Sequence, residues 1–146
     1  MHKITGLFLW QDLPDSYSGY CENDKIPDLI EVLTSLREST KTYGTATGSI
    51  ACDSTQNGND KYANRTWYQL LKIKIDSNLP REMKDEDHTL QLTMNSIDLD
   101  EMIELIQKYS RKQIHAFPAF SVPLKISKKR ESTLDLIFYY NLQGID

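Results

Sequence analysis

The sequence of 146 residues is poor in the residue types on which common catalytic and metal-binding motifs depend. It contains three histidines and two cysteines, and it has neither a His-Glu-x-x-His segment nor a pair of cysteines at metal-ligand spacing. The glycine-rich motifs G-x-G-x-x-G and G-x-x-x-x-G-K-[ST] are missing as well. These absences argue against a zinc hydrolase and against a nucleotide-binding fold. The sequence predicts no cofactor and no metal ion.

Long apolar runs are also lacking. The apolar run from Ile4 to Trp10 is too short to span a membrane and is not followed by a small-residue cleavage site. Cys21 and Cys52 have the number for one disulfide bond, but the missing export signal and the ample supply of core residues favour free thiols. We therefore expect a cytoplasmic protein with reduced cysteines and no membrane partner.

Charge is present but unevenly distributed around a net value of −4. Residues 1 to 60 contain nine acidic and four basic side chains, whereas residues 105 to 130 contain seven basic side chains and no acidic one. If these segments stay apart in space, the molecule has an acidic and a basic side, which influences partners and association rates. If folding interleaves them, the two charges cancel.

The composition is that of one globular domain. Hydrophobic residues make up 39% of the chain and charged residues 26%, which is enough apolar material for a core. A chain of this length commonly forms a single core, and neither a long linker nor an internal sequence repeat divides it. We expect a single domain over residues 1–146.

Hydrophobic periodicity predicts two amphipathic helices and about six strands. The first helix carries an apolar stripe from Ile26 to Leu36, and the second begins where Asp98 and Glu101 have the spacing of a reciprocal capping pair. The predicted strands cover residues 3–10, 46–52, 66–75, 88–94, 120–126 and 134–142. The hairpin-like spacing late in the chain indicates an α+β fold, with a largely antiparallel sheet and the two helices packed on it.

Alternation within a strand also predicts which side chains share a face. Ile4 is expected beside Phe8 and Trp10 in the first strand, and Trp67 beside Leu71 in the third. Residues 11–24 are rich in Pro, Gly, Ser and Asp, and residues 76–88 are rich in charge. Both segments are predicted to be surface loops.

Three groups of residues have side chains suited to catalysis or metal binding, but none forms a complete motif. His2, His88 and His115 have no motif around them, so structural or exposed histidines are the favoured interpretation. Residues 53–58 resemble the first half of a calcium loop, but the twelfth position is Asn64 where the loop needs Glu, which favours a polar turn. Asp85, Glu86 and Asp87 are consecutive, which favours a solvated charged loop over paired catalytic carboxylates.

The most informative region is residues 10–28, where aromatic and acidic side chains are mixed. Tyrosine and tryptophan offer rigid contact area with a polar end, and clustered carboxylates attract a basic partner. The alternative is an ordinary acidic loop with its aromatic side chains tucked into the core. The predicted partner-binding residues are Trp10, Asp12, Asp15, Tyr17, Tyr20, Glu22, Asp24, Asp85, Glu86 and Asp87.

The leading hypothesis is a small acidic protein that inhibits a basic partner by occlusion, like an immunity protein or an antitoxin against a nuclease-type toxin. Charge reversal at Asp12 and Asp15 would then mainly slow association. A second hypothesis is an enzyme whose site is assembled from distant residues. The third is a ligand-binding or nucleic-acid-binding module built on the basic C-terminal third, although the overall acidity makes nucleic acid the weaker choice. The residues considered for the second hypothesis are Asp53, Tyr62, His88 and His115, and those for the third are Phe117, Phe120, Tyr139 and Tyr140.

Overall fold

A computed structural model describes residues 2–13, 16–53, 66–112, 116–127 and 130–139. Within these ranges the chain is mostly β, with nine strands, two α-helices and one short 3-10 helix at Asn23–Lys25. The helices are α1 (Ile26–Tyr43) and α2 (Ser96–Lys112). The strands are β1 (His2–Leu13), β2 (Ser16–Cys21), β3 (Ala46–Asp53), β4 (Thr66–Trp67), β5 (Leu70–Ile75), β6 (Glu82–Glu86), β7 (Thr89–Met94), β8 (Ala116–Ser127) and β9 (Arg130–Tyr139).

The strands form one mixed, nearly closed, barrel-like sheet in the order β6-β7-β5-β3-β1-β2-β9-β8, with β4 paired to β1 beside this path. Three of the eight pairings are parallel: β1 with β3, β5 with β7, and β2 with β9. The prediction of an α+β fold with about six largely antiparallel strands is therefore wrong. Periodicity along one segment carries no information about the direction of its neighbour in the sheet.

Two of the added strands lie in segments that were predicted to be surface loops. β2 has the sequence Ser-Tyr-Ser-Gly-Tyr-Cys and β6 the sequence Glu-Met-Lys-Asp-Glu, so local composition disguises both. β2 pairs with β1 and β9, and β6 pairs with β7. These pairings outweigh the weak strand propensity of the residues in both strands. The chain turns from β6 into β7 at Asp87 and His88, both of which have positive φ.

The topology repeats once along the chain, although the sequence shows no repeat. The hairpin β1-β2, helix α1 and the pair β3-β5 are followed by the hairpin β6-β7, helix α2 and the pair β8-β9. The halves exchange strands symmetrically, because the second strand of each half pairs in parallel with the last strand of the other, as in β2 with β9 and β7 with β5. The first half also joins β1 to β3, whereas the equivalent strands β6 and β8 are the two ends of the strand order.

The core lies between the two helices and one face of the sheet. Helix α1 contributes Leu29 and Leu33, helix α2 contributes Leu99 and Met102, and all four are buried. The two predicted helices and their apolar stripes are thus confirmed. In the described part of the chain, neither helix is long and apolar enough to cross a membrane.

Glycine 6 changes which side chains of β1 face the core. Its φ of +89° is open to glycine and strained for other residues, and the pairing of β1 with β3 shifts register between Lys3 and Phe8. As a result Ile4 joins Leu7 and Leu9 in the core. The predicted grouping of Ile4 with Phe8 and Trp10 is wrong, and the face that carries Phe8 and Trp10 is the outer one.

The predicted strand over residues 66–75 is interrupted. Residues 66 and 67 form β4, which pairs with β1, and β5 begins at Leu70 and pairs with β3. The two residues between them belong to neither strand. Tyr68 enters the core, while Trp67 lies opposite Trp10 on the outer face. Trp67 therefore does not share a face with Leu71, because the interruption shifts the alternation by one residue.

The start of α2 also differs from the expected capping pair by three residues. The Asp98 backbone N–H donates to Asn95 Oδ1 at 2.8 Å, and the Asn95 N–H donates to Asp98 Oδ2 at 3.4 Å. Asn95 is therefore the capping residue and Asp98 its reciprocal partner, where Asp98 and Glu101 were predicted. The second of these hydrogen bonds orients the Asp98 carboxylate toward the beginning of α2.

Candidate partner-binding site

Five aromatic rings form a continuous row on the outer face of the sheet. The successive ring centroids, from Tyr20 to Phe8, Trp67, Trp10 and Tyr139, are separated by 6.3, 6.3, 5.2 and 6.2 Å. These separations lie within the range of favourable aromatic pairs. The row comprises Phe8, Trp10, Tyr20, Trp67 and Tyr139, and it is called the aromatic row below.

Strand register brings the aromatic row together from four separate strands. Phe8 lies opposite Tyr20, Trp10 opposite Trp67, and Tyr20 beside Tyr139. Trp10, between Trp67 and Tyr139, is only 1% exposed, while the other four rings are half-buried. The row therefore presents four partly exposed rings held by the sheet.

Two exposed carboxylates, Glu22 and Asp24, lie at the Tyr20 end of the row, which is called the acidic end. Burial, followed by the electrostatic influence of Glu22, Cys21 and Asp24, raises the pKa of Tyr20. The same carboxylates, acting after burial, help to raise the pKa of the Cys21 thiol. Both shifts reflect a negative field at this end of the row.

Glu22 is held close to β1 by the glycine at position 6. The Glu22 backbone N–H donates to the Gly6 carbonyl at 3.0 Å, and a Cβ on Gly6 would lie 2.7 Å from the Glu22 carboxyl carbon. On the other side of the strand, the Gly6 N–H donates to Asp53 Oδ2 at 2.6 Å. Two carboxylates thus flank one glycine, which extends the negative charge across β1.

The structure brings together Tyr20, Glu22 and Asp24 of the predicted set. Trp10 and Tyr17 are buried, at 1% and 4% exposure, and Tyr17 packs against Tyr68 on the core side of the sheet. The segment over residues 10–28 is therefore not the exposed loop that was predicted, because its residues form β1, β2 and the beginning of α1. The Asp12 side chain and the whole of Asp15 lie outside the described parts of the structure.

Asp85, Glu86 and Asp87 are exposed at the β6–β7 turn and are not part of the aromatic row. Asp85 accepts a hydrogen bond from the Tyr68 hydroxyl at 2.8 Å. Burial and this hydrogen bond together raise the pKa of Tyr68. Asp85 therefore contacts Tyr68, which packs against Tyr17 on the core side of the sheet.

The residues of the other two hypotheses are spread over several elements. His88 is exposed in the β6–β7 turn and Asp53 ends β3, whereas Tyr62 and His115 fall outside the described residues. Phe117 and Phe120 are buried, and Tyr140 also falls outside the described residues. In the described ranges, no group of three or more His, Cys, Asp or Glu side chains is placed to hold a metal ion.

Both cysteines are free, as predicted, and both thiols resist ionisation. Burial raises the pKa of Cys21 and of Cys52 from 9.0 to about 12. Since the thiolate is the reacting form, we expect alkylation by iodoacetamide at pH 8 to be at least about 100-fold slower in the native protein than in urea. Mass spectrometry of timed, quenched samples measures this ratio, and equal rates in both conditions would contradict the burial of these thiols.

The raised thiol pKa values also affect stability at high pH. A folded-state pKa above the unfolded value means that the folded protein holds its protons more tightly. The resulting stabilisation is complete below pH 9 and is lost as the pH rises through about 12.

No protein-family model matches this chain, and no curated protein matches it.

The side chains of the outer face are suited to contact with a cationic surface. Half-buried rings offer apolar area and cation–π faces, and the neighbouring carboxylates pair with lysine and arginine. Phe8 and Trp67 were not predicted members of this site, and the only signal for them is an aromatic residue on the outward side of a strand.

Proposed function

We propose that this chain is a small cytoplasmic protein that binds a basic protein and inhibits it by covering its functional surface. An immunity protein or an antitoxin against a nuclease-type toxin acts in this way. The observation that carries the proposal is the position of the aromatic row, whose rings reach the sheet surface directly beside the acidic end. Rings supply contact area and carboxylates supply attraction, and interfaces with basic proteins need both.

The acidic end has the charge to attract such a partner. Glu22 and Asp24 are both exposed there, and the one basic side chain of residues 20–25 is Lys25. A concentrated field of one sign raises the rate of encounter with a surface of the opposite sign, and this effect weakens as salt is added. We therefore expect complex formation to be fast at low ionic strength.

The aromatic row would provide the lasting part of the contact. Aromatic side chains fixed by their neighbours lose little conformational entropy on binding, and they are enriched among the residues that dominate binding energy. Phe8, Tyr20 and Trp67 are each held by at least one ring contact to another member of the row. Loss of one such ring should therefore speed dissociation.

The first experiment is to recover the partner and then to separate the two contributions kinetically. The tagged chain is used to capture bound protein at low and at moderate salt, and one basic protein in a stoichiometric complex is the expected result. With that protein in hand, Glu22→Lys combined with Asp24→Lys should slow association about tenfold at low salt. Phe8→Ala should instead raise the dissociation rate about tenfold.

A matched control has the same net charge as the first variant. Glu82→Lys combined with Glu104→Lys reverses two exposed carboxylates on β6 and α2, away from the acidic end. Its association rate should stay within about twofold of the unaltered protein. An equal slowing by both double variants would show that total charge, and not this surface, governs binding, and capture of no partner would remove the proposal.

A further inference from the structure

A cavity of about 180 Å³ opens between the beginning of β8 and the side of α2. It is called the seam cavity here, because it lies between the two ends of the strand order. Its polar and aromatic lining is supplied by Arg81, Asp98, Glu101, Phe120 and Ser121, and Met102 and Leu105 contribute apolar surface.

The seam cavity lies where the topological repeat is broken. In the first half, β1 and β3 pair in parallel beneath α1. In the second half, the equivalent strands β6 and β8 do not pair with each other among the described residues, and Arg81, directly before β6, faces Pro118 to Ser121 of β8 across the cavity. The opening therefore replaces backbone hydrogen bonds that the same arrangement makes elsewhere in the molecule.

Within the cavity, Arg81 makes the contacts that a bound guanidinium group would make. Its Nε lies 3.2 Å from Asp98 Oδ2, and its guanidinium carbon lies 5.2 Å from the centroid of the Phe120 ring. A carboxylate and an aromatic face around one cation are the usual elements of guanidinium recognition. Here the carboxylate is Asp98 of α2 and the aromatic face is Phe120 of β8. These two groups are called the receptor below, and neither belongs to the segment that carries Arg81.

The receptor groups are fixed, whereas the group that fills the cavity is replaceable. Asp98 is held by its reciprocal hydrogen bonds with Asn95, and Phe120 is only 4% exposed. The Arg81 side chain is 40% exposed and belongs to the connection between β5 and β6. A partly exposed ion pair of this kind contributes little stability, so exchange for another cation is energetically easy.

The charge of the cavity also favours an added cation. Glu101 lies three residues after Asp98 on α2 and lines the same cavity. Residues at this spacing are neighbours on one helix face. Two carboxylates therefore line the cavity together with one arginine. Asp98 is paired with Arg81, and Glu101 is a second carboxylate with which an incoming cation can pair.

We propose that the seam cavity binds a guanidinium group from outside the molecule, in the place that Arg81 occupies in this structure. The planar cation lies over Phe120 and donates to Asp98 and Glu101, and its alkyl stem lies along Met102 and Leu105. The binding site is a different one from the aromatic row, so the proposal stands apart from the partner-binding function.

Calorimetric titration with agmatine, a free alkylguanidine, tests this proposal in the isolated protein. Arg81→Ala empties the receptor, and we expect it to lower the dissociation constant for agmatine at least about tenfold relative to the unaltered protein. Adding Glu101→Gln to Arg81→Ala should weaken binding about tenfold, while adding Glu104→Gln, an exposed carboxylate on the same helix, should change it less than about twofold. Amide shifts at residues 98–102 and 119–121 locate the bound cation.

Two further ligands make the result decisive. N-carbamoylputrescine, the urea analogue of agmatine, keeps the terminal ammonium and the planar head but lacks the charge of the guanidinium, and it should bind at least about tenfold more weakly than agmatine. A capped tripeptide with one arginine distinguishes the source of the guanidinium: tighter binding than agmatine indicates a polypeptide, and weaker binding indicates a free small cation. If folded Arg81→Ala protein binds neither guanidinium ligand, or binds N-carbamoylputrescine as strongly as agmatine, the proposal is overturned.

Discussion

Replacing Leu71 with alanine is expected to lower the free energy of unfolding by about 2–5 kcal/mol, since the lost side chain leaves a cavity that the sheet cannot close. Leu71 is fully buried on β5, opposite Ile50 of β3 and Leu90 of β7. These neighbours belong to both halves of the molecule, so that the loss is felt on both sides of β5. In a domain of this size the unfolding midpoint should fall by about 5–15 °C, which a thermal melt followed by circular dichroism measures.

Lys72 is the matched control, because it is the next residue on the same strand and points to the opposite face. Its side chain is half-buried outside the core, and Lys72→Ala should change the free energy of unfolding by less than about 1 kcal/mol. Similar losses for the two variants would mean that β5 does not have one buried and one outer face.

Substitution of Gly19 by alanine is expected to destabilise the protein by about 1–3 kcal/mol, because the added methyl group has no room. A Cβ at this position would lie 2.9 Å from Leu9 Cδ2 and 3.0 Å from Phe138 Cε1. Both neighbours are core residues, with 0% and 3% exposure, so neither can turn toward solvent. Urea unfolding monitored by tryptophan fluorescence gives the change in free energy.

A double variant tests whether the contact with Leu9 causes this loss. Leu9→Val removes the methyl group nearest to the added Cβ and on its own costs about 1 kcal/mol through the lost core volume. We expect the double variant to lose less free energy of unfolding than the sum of the losses of the two single variants, because the shortened side chain relieves the contact with the added methyl group. Strict additivity would assign the effect to Phe138 or to the backbone of β2.

Local sequence patterns were sufficient for the helices and for several strands, but not for the sheet. The stripe from Leu29 to Leu36 and the stripe from Leu99 to Ile106 each face the core, because helical period is a property of consecutive residues. The parallel pairing of β2 with β9 joins residues more than a hundred positions apart, and no periodicity reports it. β2 and β6 depend on such partners, which is why their polar composition misled the prediction.

The candidate binding surface was predictable only in its acidic part. Glu22 and Asp24 follow Tyr20 closely in sequence, so their proximity needs no knowledge of the fold. Phe8 and Trp67 reach Tyr20 through strand register, which no local pattern reports. The positive φ of Gly6 and the interruption after Trp67 shift the alternation, so that simple period-two alternation misassigns the face of both rings.

The exchange of strands between halves makes the two parts of the chain unequal as fragments. If the chain were cut in the connection before β6, the first part would keep four strands in the order β5-β3-β1-β2, with two unpaired edges where β7 and β9 had been. The second part would keep two hairpins, β6-β7 and β8-β9, between which the described residues form no hydrogen-bonded ladder. The first part is thus a template, and the second part acquires its sheet only by docking each hairpin onto an opposite edge of it.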